Sequence, residues 1–91
     1  MNSSQKILVE SLAMDLKRVA LGIQRSSTAV VTRFTEEALR REEELQHENL
    51  DDYLKKLISR TKEVLKQDKD GEDVLMYSTL LQNFAQHQFP T

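Results

Sequence analysis

Apolar residues recur along this chain at helical spacing. Leu8, Leu12, Leu16, Val19 and Ile23 stand 4, 4, 3 and 4 positions apart, which draws one stripe along a helix. Val9, Ala13 and Ala20 widen that stripe. Ile7, Met14 and Leu21 recur every seven residues on the side away from it. A helix that is apolar on two sides needs two neighbours. The pattern predicts this first helix over residues 4–25. Asn2, Ser3 or Ser4 can cap its start, and Asn2 with Gln5 has capping-box spacing.

A second helix is predicted over 28–47. Val30, Phe34, Ala38 and Leu45 form a narrower stripe. Arg33/Glu37, Glu36/Arg40, Glu37/Arg41 and Arg40/Glu44 can pair one turn apart. The run RREEELQHE therefore reads as a solvated face. A third helix is predicted over 50–67, with Asn49 as N-cap and Asp51 and Asp52 in its first turn, where the helix dipole favours acids. Asp51/Lys55 and Asp52/Lys56 offer further pairs, and Leu50, Leu54, Leu57, Ile58, Val64 and Leu65 supply its apolar side. The polar run QDKDGED, with Gly71 inside it, marks a turn. A fourth helix follows over 71–86, capped by Asp70, with Val74, Tyr77, Leu80, Leu81 and Phe84 as its stripe. Phe89 precedes Pro90 and is biased out of helix, so the helix should stop near His87.

The stretch GIQRSSTAVV, from Gly22 to Val31, admits two readings. Two Ser and a Thr are poor helix-interior residues and good caps. A turn there yields four helices of similar length, which suits an up-and-down four-helix bundle. Yet the break holds no Gly, Pro, Asn or Asp, and Val30, Phe34 and Ala38 continue the phase of the Leu8–Ile23 stripe. The alternative is one continuous helix about 66 Å long, which would have to form a dimeric rod. The expected fold is the all-α, up-and-down four-helix bundle, a single helical domain over 1–91.

Composition supports helix and narrows function. Of 91 residues, two are Gly, one is Pro and 5% are aromatic, while 31% are charged. Cysteine is absent, so no disulfide framework, thiolate metal site or Cys nucleophile exists. No apolar run approaches the roughly 18 residues of a membrane span, and no signal-peptide core precedes the first charges. These features predict a cytoplasmic protein with no membrane partner. Thirteen basic residues against fifteen acidic ones argue against general nucleic-acid binding. The best candidate for it is Lys55, Lys56, Arg60, Lys62, Lys66 and Lys69 on the third helix. Acids interleave with these, and no aromatic among them offers a base platform.

Catalytic chemistry is not evident. Glu44 and His47 form one Glu-x-x-His, the unit that dimetal helical bundles use twice, together with two further Glu. Glu43 and Asp51 lie a turn to either side, but the surroundings are charged and wet. His87 reads as an exposed His near a helix end, and Tyr53 and Tyr77 read as packing residues. No Gly-rich phosphate loop or nucleophile triad occurs. No catalytic residue, metal or cofactor is expected.

Association is expected instead. After Asp73 the chain has no Asp, Glu, Lys or Arg, and interface cores lose charge and gain apolar area. The sequence predicts a non-enzymatic protein–protein interaction module that forms a homo-oligomer, a homodimer by preference. The first helix would contribute Ile7, Met14 and Leu21, and the fourth Met76, Leu80, Phe84 and Phe89. The alternative function is a nucleic-acid-associated regulator that uses the third helix.

Overall fold

Four helices follow one another: α1 (Ser3–Gln24), α2 (Thr28–Gln46), α3 (Asp52–Gln67) and α4 (Glu72–Gln88). The computed structural model describes residues 3–88, and all of its regular structure is helical. The helices form an up-and-down bundle. α1 lies between α2 and α4 and packs along both, α3 leans on α4, and α2 and α3 touch only sparsely.

The chain turns at Arg25–Ser27, and the reason is local. The Ser27 amide donates to the Gly22 carbonyl (2.9 Å) and the Ser26 amide to the Ile23 carbonyl (3.1 Å). These two bonds make a Schellman closure, whose penultimate residue must be left-handed. Ser26 takes that conformation at φ 56°. Ser27 is extended, and its hydroxyl accepts from the Val30 amide, so it caps α2. Gly22 lets the returning helix come close. A Cβ there would sit 3.0 Å from both Val30 Cγ1 and Val31 Cγ2. The continuous rod is thereby excluded: the longest dimension of the bundle is 37 Å.

The predicted stripe of α1 is its buried side. Val9, Leu12, Leu16 and Val19 are buried, with Ala13 and Ala20 on the flank, while Leu8 and Ile23 pack at the margin. They meet Ala38 and Leu45 of α2, Leu54, Leu57 and Ile58 of α3, and Val74, Leu81, Phe84 and Ala85 of α4 in one cluster. Removing this apolar area from water stabilises the bundle at about 25 cal/mol per Å². The small Ala13 and Ala20 admit α4 closely. Ser78 donates to the Ala13 carbonyl (2.6 Å), and the backbone of Gly71 lies against Ala20.

Helix ends differ from expectation in places. Asp51, not Asn49, caps α3, its carboxylate accepting from the Tyr53 amide at 2.9 Å. Leu50 is buried but precedes the helix. At α4 two carboxylates share the work. Asp70 accepts from the Glu72 amide and Asp68 from the Val74 amide, each at 2.9 Å. The Glu72 amide holds the Asp70 carboxyl below the usual carboxylate range. α4 itself continues through His87 to Gln88. The expected cap at Asn2 lies outside the described residues.

Candidate functional site

The ridge Ile7, Met14, Leu21 faces outward, as the heptad spacing predicts. These side chains are 62%, 43% and 37% exposed. α1 buries its other flanks against α2 and α4, so the ridge is the part of α1 that the bundle does not cover. Glu10, Lys17 and Arg18 are exposed around it.

α4 carries a second apolar patch. Leu75 and Met76 are 38% and 48% exposed. With Glu72, Thr79 and Leu80 they line a shallow groove of about 380 Å³. Leu80 is half-buried, lying between groove and core. Phe84, expected on the contact surface, is buried instead and stacks at a tilt on Tyr53, with ring centroids 5.9 Å apart. Its position opposite the start of α3 explains this, since α3 covers that side of α4. Phe89 lies outside the described residues. Leu75 was not singled out from sequence because it falls off the core stripe of α4.

α3 turns its cations to solvent. Lys55, Lys56, Arg60 and Lys66 are exposed, as is Lys69 in the turn beyond the helix, and among the described residues none has a carboxylate within 4 Å. The expected pairs Asp51/Lys55 and Asp52/Lys56 do not form there. Glu63 sits among them, in a shallow depression lined also by Lys55, Lys56, Ser59 and Arg60. Glu44 and His47 are exposed at the end of α2. Among the described residues no three His, Asp or Glu side chains converge as a metal site would require.

Two buried carboxyl groups escaped the sequence reading. Asp15 of α1 is 2% exposed. It accepts from Arg41 Nε of α2 at 2.7 Å and lies 3.6 Å from Arg18. Arg41 also reaches Glu37 at 3.9 Å, and Glu37 meets Arg40 at 3.3 Å. The charged run of α2 is thus partly an interhelical device. Arg18 and Arg33 lie over the Phe34 ring, 5.1 and 5.3 Å from its centroid, a cation–π arrangement at a half-buried aromatic.

The second is Glu42, with no exposure at all. It belongs to the run RREEELQHE, read above as solvated; its position instead faces α3, where Thr61 meets its Oε1 in a short hydrogen bond. Its Oε2 has no hydrogen-bond partner. Burial pushes the carboxyl up to about 7 from an ordinary 4.5. The Lys62 ammonium pulls the other way, as would a hydrogen bond donated by Thr61. A fully buried acid inside a charged run leaves no signal in hydropathy, because five of its neighbours look the same.

Compared with known proteins, the chain matches no family model, no curated protein and no solved structure. Among the described residues no helix is long and apolar enough to cross a membrane.

Proposed function

We propose that this chain is a non-enzymatic interaction module of the cytoplasm, a small helical adaptor, regulator or assembly factor. It works through the outer faces of α1 and α4 and associates as a homodimer. The observation that carries the reading is the exposure of Ile7, Met14 and Leu21 in register along α1. From Ile7 to Leu21 the ridge runs about 21 Å. Leu75 and Met76 on the neighbouring α4 supply a second exposed apolar patch. Exposed apolar side chains in register along a helix support an association face, and a stable pair needs about 800 Å² from each partner.

Sedimentation of the full chain, with Met14→Glu/Leu21→Glu as comparison, tests this. Wild type should sediment as twice the chain mass and the variant as a folded single chain. A wild type that stays at one chain mass at roughly millimolar concentration would refute the homodimer. Loss of helicity along with association would move the ridge into the core.

A second reading is favoured by the unpaired cations of α3, which would suit a nucleic-acid phosphate backbone. Titration of a generic duplex separates the two. Binding that weakens steeply with salt supports the α3 reading, and weak binding with no salt slope removes it.

A further inference from the structure

The Thr61 hydroxyl has one proton and two oxygen neighbours. It lies 2.6 Å from the Ile58 carbonyl and in short contact with Glu42 Oε1. A carbonyl oxygen only accepts, so an approach of 2.6 Å requires the hydroxyl proton to point at it. Thr61 then offers Glu42 a lone pair and no proton. Two oxygens in that contact attract only if the carboxyl supplies the second proton and donates it. Glu42 Oε2 argues the same way. It is shut off from water with no donor beside it. An ionised carboxylate would leave part of its charge stranded there, whereas a neutral acid leaves only a carbonyl oxygen.

The surroundings contain little to hold a charge. On α3, Lys62 is half-buried and is the cation that acts on Glu42; the other charged residues of that helix are exposed. α1 presents one buried charge, Asp15, already taken by Arg41 on the opposite seam. The buried side chains of α4 are Val74, Ser78, Leu81, Phe84 and Ala85, with the half-buried Tyr77 phenol at their edge. On α2 itself, Arg41 is engaged with Asp15 of α1 and reaches Glu37, which also meets Arg40. The seam between α2 and α3 is also the least packed in the bundle. Among the described residues, Glu42 and Thr61 make its one interhelical side-chain hydrogen bond.

We propose that Glu42 is a proton-operated latch: neutral, it donates to Thr61 and holds α2 against α3; ionised, it releases Thr61, turns toward Lys62 and water, and lets α3 loosen. The direction is the reverse of ordinary acid denaturation. Burial lets the folded chain keep this proton up to about pH 7, while the unfolded chain loses it near 4.5. The stabilisation is therefore complete below about 4.5 and is lost as pH rises through about 7. The gap limits the effect to roughly two orders of magnitude in the unfolding equilibrium constant. The latch does not depend on how the outer faces associate.

Carbon NMR of the glutamate carboxyls in the wild-type chain reads the proton directly, and amide exchange corrected for intrinsic rates reads the seam. One carboxyl should titrate close to pH 7, and its signal should vanish in Glu42→Gln. Between pH 5 and 8, α3 should gain exchange relative to α1 in wild type, by roughly 10-fold or more, and not in Glu42→Gln. Thr61→Val tests the proton's direction. If Glu42 donates, losing its acceptor lowers the midpoint of Glu42; if Thr61 donates to a carboxylate, losing the donor raises it. The proposal is overturned if every glutamate titrates in the ordinary range, if Thr61→Val raises the midpoint, or if α3 and α1 exchange in step across the titration.

Discussion

Ser26 and Gly71 both hold left-handed backbone, at φ 56° and 84°, and they respond to substitution in opposite ways. Ser26 is exposed in a Schellman turn, so its Cβ meets only the intrinsic penalty of that conformation, about 1 kcal/mol. Ser26→Gly should raise the unfolding free energy by about 1 kcal/mol, seen as a higher urea midpoint with an unchanged slope. Gly71 is buried, and a Cβ there would stand 3.0 Å from the Ala20 carbonyl oxygen, a backbone atom that cannot rotate aside. Gly71→Ala should cost about 2 kcal/mol or more, conformational penalty and crowding together, measured in the same unfolding series. Gly71 announces its turn in the sequence because it sits among Asp and Lys. Ser26 does not, because a turn that tolerates Ser gives up the glycine signal by which such turns are read.

Between elements, a charged join ties Asp15 of α1 to Arg41 of α2. A carboxylate 2% exposed is held in the seam by the Arg41 guanidinium at 2.7 Å, with the more exposed Arg18 at 3.6 Å. Arg41 is 31% exposed on its side chain, so solvent screens part of the attraction. Arg41→Met should therefore destabilise by about 2 kcal/mol, below the usual range for a fully buried pair. Asp15→Leu/Arg41→Met should recover part of that loss, since no charge is left stranded; denaturant midpoints of the single and double variants check both. The four helices were readable from their stripes, because a 3.6-residue period in apolar positions survives whatever the helix packs against. Their polar joins were not. In α2 the same run supplies a solvated Glu43, a seam-forming Arg41 and a buried Glu42, and hydropathy treats all three alike. The phase continuity from Ile23 to Val30, an argument for the rod, carries no weight: after a reversal of direction, azimuth about the old axis has no physical meaning.

For the molecule as a whole, four short helices close around one small core, and an association that buries the outer ridge would add to its stability. On the proposed homodimer, the thermal midpoint should rise with protein concentration by mass action, while Met14→Glu/Leu21→Glu should show no such dependence. Both positions are exposed in the single chain, so in the dilute limit the variant should lie within about 0.5 kcal/mol of wild type. Equal concentration dependence in the two proteins would place the contact elsewhere on the surface.

The chain by itself determined that the fold is helical throughout, the approximate bounds of the apolar stripes and the two-sided character of α1, because these follow from periodicity and local backbone preference. It also marked Ile7, Met14 and Leu21 as lying off the core stripe, which their exposure matches. Only the tertiary structure decided that the chain reverses at Ser26, that Phe84 belongs to the core, and that Asp15 and Glu42 are buried. Each of these depends on which helix arrives beside the residue, and burial of a polar side chain is a property of its neighbours rather than of its place in the sequence.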